Sequence, residues 1–306
     1  MKLIALVAAV LLEQWRPLKN RRYLLEILAR VADKSEHELN AGRWRHGVLA
    51  WSLVVAPATL LLLLLYLWLE RSHVMLGVLL SVLTLYLTMG FRQFSHYFTR
   101  IRIALSGGDT ARAQLILAEW RGRAREDLSA NEIARIAIEE ALAASHHRVF
   151  AVLFWFLALG PAGALLYRLA WFLRDRWVNT TEGEFGAFAG HAFHVINWLP
   201  ARLTAISFAV TGDFEDAVYC WRTQAANWRD SQLGIVLAAG AGAIGVQLGM
   251  PLVDASGAVQ DRPQLGLGDF AEADHMGSTA GLMWRALVLW FFLIVLVLIA
   301  RQFGGG

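Results

Sequence analysis

Two arginines sit where charge is costly. Arg168 closes an apolar run that begins at Val149, and Arg202 lies inside another, Phe193 to Val210. A charged side chain in such a run faces a bundle interior or a wet cavity and needs a partner. The planar guanidinium fork suits a carboxylate or a phosphate. The competing account is an arginine that snorkels from a helix end. It is stronger for Arg168 than for Arg202, because Asn197 and Pro200 accompany Arg202. Pro200 frees backbone polar groups, and Asn197 and Arg202 could line the resulting space. His191 and His194, three apart, share a helix face, but no carboxylate or third histidine follows at ligand spacing, so no metal site is assigned. His146-His147 is adjacent, so its rings diverge by about 100° on a helix, and it reads as a membrane-surface pair. The runs Asp213-Phe214-Glu215-Asp216 and Asp269 to His275 could hold Mg²⁺ through carboxylates and water; solvated loops and helix N-termini explain them as well.

Gly240-Ala241-Gly242-Ala243-Ile244-Gly245 fits GxGxxG, but a dinucleotide site needs a strand before it and an acid about 20 residues on. Close helix packing is the better account, with Gly245 and Gly249 forming GxxxG and Ala241 extending the small stripe.

The elements that must position these residues are membrane helices. Of 306 residues, 57% are apolar and 17% charged, against about 45–50% and about 25% in soluble domains. Disorder is excluded by the aromatic and aliphatic content. A disulfide or cysteine-zinc scaffold is excluded because Cys220 is the only cysteine. The net charge of +3, with no compact basic stripe, gives no case for nucleic acid. Four apolar runs read as spans: Gly47 to Leu69, Val74 to Phe91, Val149 to Tyr167 (running on toward Leu173), and Ala286 to Ala300. The first two, joined by Glu70-Arg71-Ser72-His73, form a hairpin. Leu233 to Leu248 and Phe193 to Val210 read as buried or re-entrant helices. The run Leu3 to Leu12 is followed by Glu13-Gln14-Trp15-Arg16-Pro17, which is no small-residue cleavage site, so it reads as a retained buried or interfacial helix.

Residues 92–148 form a small helical region. Gly107-Gly108 ends one helix, Asp109 caps the next through Trp120, and Ser129 with Glu132 makes a capping box for a helix that feeds the third span. No strand-like alternation of useful length appears. The fold class is therefore all-α: a polytopic bundle with four transmembrane helices, up to two buried or re-entrant helices and a small cytoplasmic helical region. Its parts are 1–46, a basic N-terminal helical segment; 47–91, the hairpin; 92–148, the cytoplasmic region; and 149–306, the remaining membrane domain. Residues 1–46 carry nine Lys/Arg against five acids, 92–148 nine against seven, and 174–285 seven against twelve. The positive-inside bias puts the first two, and the N-terminus, in the cytoplasm of a bacterial inner-membrane protein.

Three blocks resemble the CobD/CbiB family of cobamide-assembly membrane proteins and its AmpE-like relatives. They are Gly160-Pro161-Ala162-Gly163-Ala164-Leu165-Leu166-Tyr167-Arg168-Leu169, Asn197-Trp198-Leu199-Pro200-Ala201-Arg202-Leu203-Thr204-Ala205, and Ala241-Gly242-Ala243-Ile244-Gly245-Val246-Gln247-Leu248-Gly249. The resemblance implies a reaction that joins an aminopropanol phosphate to a cobyric acid carboxylate with ATP activation. Such chemistry wants cations for phosphates, carboxylates for Mg²⁺ and a cytoplasm-facing cavity. The chain departs from the enzyme-like pattern in four places. Phe193 and His194 stand where paired aspartates precede the Asn-x-x-Pro block. Asp230-Ser231-Gln232-Leu233-Gly234 replaces Ser-Pro-Asn-x-Gly. Leu237 replaces a glutamate, and the Gly-Tyr-(Arg/Lys)-Asn stretch is absent from Arg174 to Phe185.

These departures favour an AmpE-like binding or signalling component as the leading expectation. A working adenosylcobinamide-phosphate synthase is the alternative, with Mg²⁺ and ATP as its cofactors; a transporter is weaker, because no internal repeat is found. The candidate ligand-binding residues are Arg168, His194, Asn197, Arg202 and Asp230. The expected partners are the lipid bilayer, a corrinoid or cell-wall-related ligand, and a second copy through small-residue helix contacts.

Overall fold

The computed structural model describes residues 2–15, 21–122, 128–180, 183–253 and 259–303. It is almost wholly helical, and it divides into two compact units, residues 1–90 with 147–198 and residues 91–146 with 199–306. Four helical stretches are long and apolar enough to cross a membrane: Trp44–Ser72, Val74–Ser106, Ala130–Leu159 and Ala273–Val297. The protein is a multi-pass membrane protein.

The first unit holds α1 (Lys2–Trp15), α2 (Arg21–Leu39), α3 (Trp44–Ser72), α4 (Val74–Thr88), α8 (Ala151–Leu159), α9 (Pro161–Thr180) and the first part of α10 (Phe185–Thr211). α3 and α4 form the expected hairpin, turning at His73. Leu61 of α3 is 71% exposed and Met75 of α4 is 73% exposed. Such a face is stable only against lipid. The opposite face of α3 packs on α9 and on α2, around Ala50, Val55, Leu169, Leu173, Trp177 and Phe185. On α9, Arg176 forks onto Asp33 of α2, with Nη2 at 2.6 Å from Oδ2. The hydrogen bond to Asp33 raises the Arg176 pKa against the opposing effect of burial.

The third apolar run is not one helix. α8 stops at Leu159, Gly160 takes φ +67, and α9 restarts at Pro161. The stretch long enough to span is instead Ala130–Leu159. It comprises α7 (Ala130–Ser145), one π-helical turn at His146–Phe150, and α8. Proline at a helix start needs no intrahelical N–H partner, and glycine reaches positive φ without strain, so the Gly-Pro pair makes the corner.

The second unit holds α5 (Phe91–Ser106), α6 (Thr110–Arg121), α7, the end of α10, α11 (Phe214–Gln224), α12 (Ser231–Ile244) and α13 (Ala273–Phe303). The two expected caps are present. Asp109 accepts from the Arg112 N–H at 2.9 Å, and Ser129 with Glu132 makes the full capping box. α12 is the buried helix anticipated from Leu233 to Leu248, with Gly234 to Ala243 buried throughout.

Two expectations need correction here. Gly245 and Gly249 do not form a helical GxxxG: Gly245 is the left-handed cap of α12 at φ +66, and Gly249 lies beyond it at φ +74. The close packing falls to Gly242, where a Cβ would collide with the Asp216 carbonyl. The chain then makes short strands that no alternation announces. β1 (Val246–Gln247) pairs in parallel with β4 (Asp269–Phe270), and β2 (Leu252–Val253) pairs antiparallel with β3 (Val259–Gln260). Two-residue strands are too short to show a period.

Candidate functional site

The first unit buries a polar chain between α9 and α10. Tyr167 Oη donates to Asn197 Oδ1 at 2.9 Å, and His147 Nδ1 lies 2.8 Å from the same hydroxyl. The phenol proton is spent on Asn197, so the phenol oxygen accepts from His147 Nδ1–H. An imidazole that donates from Nδ1 carries, when neutral, its lone pair on Nε2, the tautomer that can take a proton. Its ring sits among Tyr167, Trp171 and Phe193, with centroids at 6.5, 5.6 and 5.8 Å. Arg168 lies over Trp171 at 4.7 Å and Arg174 over Phe193 at 5.9 Å. Two guanidinium groups therefore stack on rings that wall the His147 imidazole. Cations held on ring faces are at the upper end of cation–π strength where water is scarce. The arrangement suits an anionic ligand whose partner must lose a proton.

Pro200 opens no gap in α10. The carbonyl it deprives of a helical donor is that of Ile196, and Trp155 Nε1 donates to it at 3.2 Å. An apolar helix can carry proline when a neighbour re-satisfies the freed group.

In the second unit, Thr204 donates to Pro200 O at 2.9 Å, and its oxygen lies 3.0 Å from His146 Nδ1. The same reasoning makes His146 the donor. Both histidines are buried, His146 fully and His147 to 7% exposure. The reading of this pair as membrane-surface residues is corrected: the π-turn carries the adjacent rings inward, where Tyr167 and Thr204 hold them. The signal was present in the hydroxyl partners on other helices, which local spacing cannot reveal.

The five expected ligand-binding residues divide between the units. Arg168, His194 and Asn197 belong to the first, and Arg202 and Asp230 to the second. Asn197 is buried at the heart of the polar chain, Arg168 flanks it, and His194 is exposed on α10. Arg202 is half-buried. Asp230 is the N-cap of α12, accepting from the N–H groups of Gln232 and Leu233 at 3.1 and 3.2 Å. Sequence reasoning did not single out Tyr167, Trp171 or Arg174 as site residues.

The second unit also contains a charged fastening. Arg262 forks onto Glu139 with both contacts at 2.9 Å, and the Gly249 N–H donates to the same carboxylate at 2.8 Å. Arg262 also donates to the carbonyls of Gly249 and Met250 and lies 5.4 Å from the Trp228 ring. It straps the short-stranded segment to α7.

Comparison with known proteins decides the family. Residues 4–283 match the CobD/Cbib protein family. The chain belongs to that family. It is 36% identical over 298 residues to a protein of Stutzerimonas stutzeri named cobalamin biosynthesis protein CobD, covering 95% of this chain and 96% of that one. A protein of the same name from Chromobacterium violaceum is 35% identical over 282 residues, covering 90% and 88%. One from Halalkalibacterium halodurans is 31% identical over 212 residues, covering 66% and 65%. No solved structure matches. The AmpE-like signalling expectation is thereby corrected. Family members named for cobalamin biosynthesis share over a third of their residues with this chain along nearly its whole length.

Proposed function

We propose that the protein is an adenosylcobinamide-phosphate synthase of cobamide biosynthesis, joining an aminopropanol phosphate to a corrinoid carboxylate. The observation that carries this reading is the 36% identity, over 95% of the chain, to a protein named for cobalamin biosynthesis. The buried chain in the first unit supports it chemically. Amide formation requires an amine that has lost its proton, and His147, held through Nδ1 by Tyr167, is the proton acceptor we assign. Arg168 and Arg174 supply positive charge for an anionic reactant. His194, Arg202 and Asp230 complete the ligand-binding set carried from the sequence, Asp230 acting by holding the start of α12.

The reading implies Mg²⁺ and ATP. Mg²⁺ with a nucleotide takes one or two protein carboxylates and fills its remaining positions with phosphate oxygens and water. Among the described residues no three metal-ligating side chains cluster, and the reading asks for no more than one or two carboxylates. Bound Mg·ATP would supply the activation of the carboxylate. The basic segments 1–46 and 92–148 support a cytoplasmic N-terminus in a bacterial inner membrane, where ATP is available. The corrinoid, the bilayer and a second copy of the chain are the partners we propose. The small residues of α12 are used inside the second unit, so a second copy would meet another surface.

The test is complementation of a strain lacking its cobamide synthase, with membrane protein levels matched by immunoblot. The wild-type gene should restore cobamide synthesis, and Arg202→Ala and His147→Ala should each abolish it. Failure of the wild type at normal expression sinks the proposal.

A further inference from the structure

The fourth span is a helix with two faces. Thr279, Leu282, Ala286, Leu287, Trp290 and Ile294 of α13 are buried, and the helix packs on α5, α7 and α12 of the second unit. Another side carries Gly277, Gly281, Arg285, Val288 and Phe292. At about 100° per residue these five fall within about 80° of arc, and the buried set lies on the opposite side of the helix. Val288 and Phe292 are 64% and 62% exposed, and Arg285 is exposed with them.

Two features of this face have no use within one chain. The first is its glycines. Gly277 and Gly281 make a GxxxG step inside the Ala273–Val297 span. Gly242 of α12 is required by the chain's own packing, because a Cβ there would strike the Asp216 backbone. Among the described residues, a Cβ at Gly277 would approach only the tip of Arg102, and one at Gly281 only the tip of Arg285, each at 3.8 Å. No neighbour in the same chain asks for either glycine. The second feature is Arg285. It is a charge inside a span, and such a charge needs a partner. Asp213 and Asp216 line a cleft with Ser278 and Arg285, along one edge of the stripe. Among the described residues, no ion pair joins Arg285 to either aspartate.

We propose that this face of α13 packs against the same face of a second copy of the chain, with Arg285 of each copy on Asp213 and Asp216 of the other. A two-fold axis along the membrane normal makes such a contact isologous and keeps every group at its own depth. Groups that share a cleft in one chain therefore meet across the axis. The patch carries both signs of charge, so it is complementary to itself. Glycines at the crossing let two backbones approach closely, which is how helices associate in lipid without a hydrophobic driving force. Val288 and Phe292, with Trp284 and Leu289 in the apolar groove beside Arg285, extend the contact along the helix. A lipid tail would cover the apolar part of this face but would leave the guanidinium without an acceptor. The proposal specifies the second copy named above and makes no use of the synthase chemistry.

Subunit counting by photobleaching of the labelled full-length protein, in liposomes over a range of protein-to-lipid ratios, tests the contact. The wild type should dimerise saturably. Gly281→Ile, Arg285→Glu and Asp216→Lys should each weaken self-association about tenfold or more. The two charge variants, mixed in two colours, should pair with each other about tenfold or more tightly than either pairs with itself, because both cross-axis contacts become attractive again. A second measurement needs no charge variant. On a Cys220→Ala background, Val288→Cys should cross-link in native membranes with a short bifunctional methanethiosulfonate. Leu293→Cys, at a position 48% exposed on a different side of α13, should not. A wild type that is monomeric at every ratio, an unaffected Arg285→Glu, no preference for the mixed pair, or equal cross-linking at both positions overturns the proposal. A monomer that restores cobamide synthesis overturns the dimer alone. A dimer that fails to restore it overturns the synthase reading alone.

Discussion

The two units satisfy buried polarity by different means. The first uses uncharged hydrogen-bonding groups: an imidazole, a phenol and a carboxamide share hydrogen bonds along one line, His147 to Tyr167 to Asn197. The second has a shorter line of the same kind, His146 to Thr204 to Pro200, and adds a full ion pair, Arg262 on Glu139, with backbone groups filling the remaining positions. The locations explain the choice. The neutral chain lies between helices that already satisfy their own backbones, so its polar atoms need only find one another. The ion pair lies where the chain leaves helical structure between Gly245 and Phe270 and must be fastened to α7. A charge with no partner there would be costly, and a charge with several is a strong clamp. A neutral group has no fixed counter-charge to lose when it titrates, whereas each member of the clamp needs the other charged. Under the synthase reading the first cluster moves a proton and the second holds the fold.

Removing the clamp is the largest break in this comparison. Glu139→Ala leaves the Arg262 guanidinium and the Gly249 N–H without their acceptor. Loss of one partner of a buried pair costs about 3–5 kcal/mol. Because Arg262 is slightly exposed, at 15%, the lower end of about 3 kcal/mol is expected. Limited proteolysis of purified protein should show faster cutting within residues 246–268, and the unfolding temperature in detergent should fall. Arg262→Met on the Glu139→Ala background should return part of the loss, because the orphaned charge is gone. If the double variant is no more stable than Glu139→Ala, the pair is not the fastening described.

The hairpin, the caps of α6 and α7 and the buried helix α12 were all legible in the sequence, because each depends on residues within one or two turns. Ser129 and Glu132 need only each other. The span ending at Leu159 was misplaced for an equally local reason: hydropathy runs smoothly across Gly160-Pro161, and only the dihedral at Gly160 breaks it. The site was half legible. Asn197, Arg168 and Arg202 stood out as polar residues in apolar runs, but nothing within a turn of Asn197 pointed to His147, 50 positions earlier. The inward turn of the histidine pair depends on one π-helical turn, which shifts the facing of every later side chain. Motif departures misled the functional reading for the opposite reason. They weighed a few positions heavily, while the similarity to named relatives is spread over the chain.

Tyr167→Phe sharpens the comparison at smaller cost. It removes the hydroxyl that bridges His147 and Asn197 and keeps the ring that packs beside Phe193. Two buried polar atoms lose one partner each. Protein cores give about 1–3 kcal/mol for such a loss, while membrane bundles average about 0.6 kcal/mol per interhelical bond. About 1 kcal/mol is expected, readable as a modest fall in unfolding temperature. Under the synthase reading the loss of activity should exceed this, because the imidazole tautomer is no longer imposed. Equal stability with unchanged activity would mean that the chain has no positioning role.

Cys220 gives the finest test of how the second unit treats a buried charge with no partner. The thiol is buried on α11, and burial first, then the Asp216 charge, pushes its pKa up to about 11. An unfolded cysteine titrates near 8.5. The folded state therefore favours the protonated thiol. This contribution is constant below the unfolded value, falls as pH rises through it, and is exhausted once pH passes about 11. Because Cys220 is the only cysteine, alkylation reports on this site alone. At pH near 9 the folded protein should react with iodoacetamide about a hundredfold more slowly than protein unfolded in guanidinium, since the thiolate is the nucleophile. A folded rate close to the unfolded one would mean that the second unit tolerates an unpaired thiolate at this position, and the contrast between neutral and paired groups would lose its physical basis.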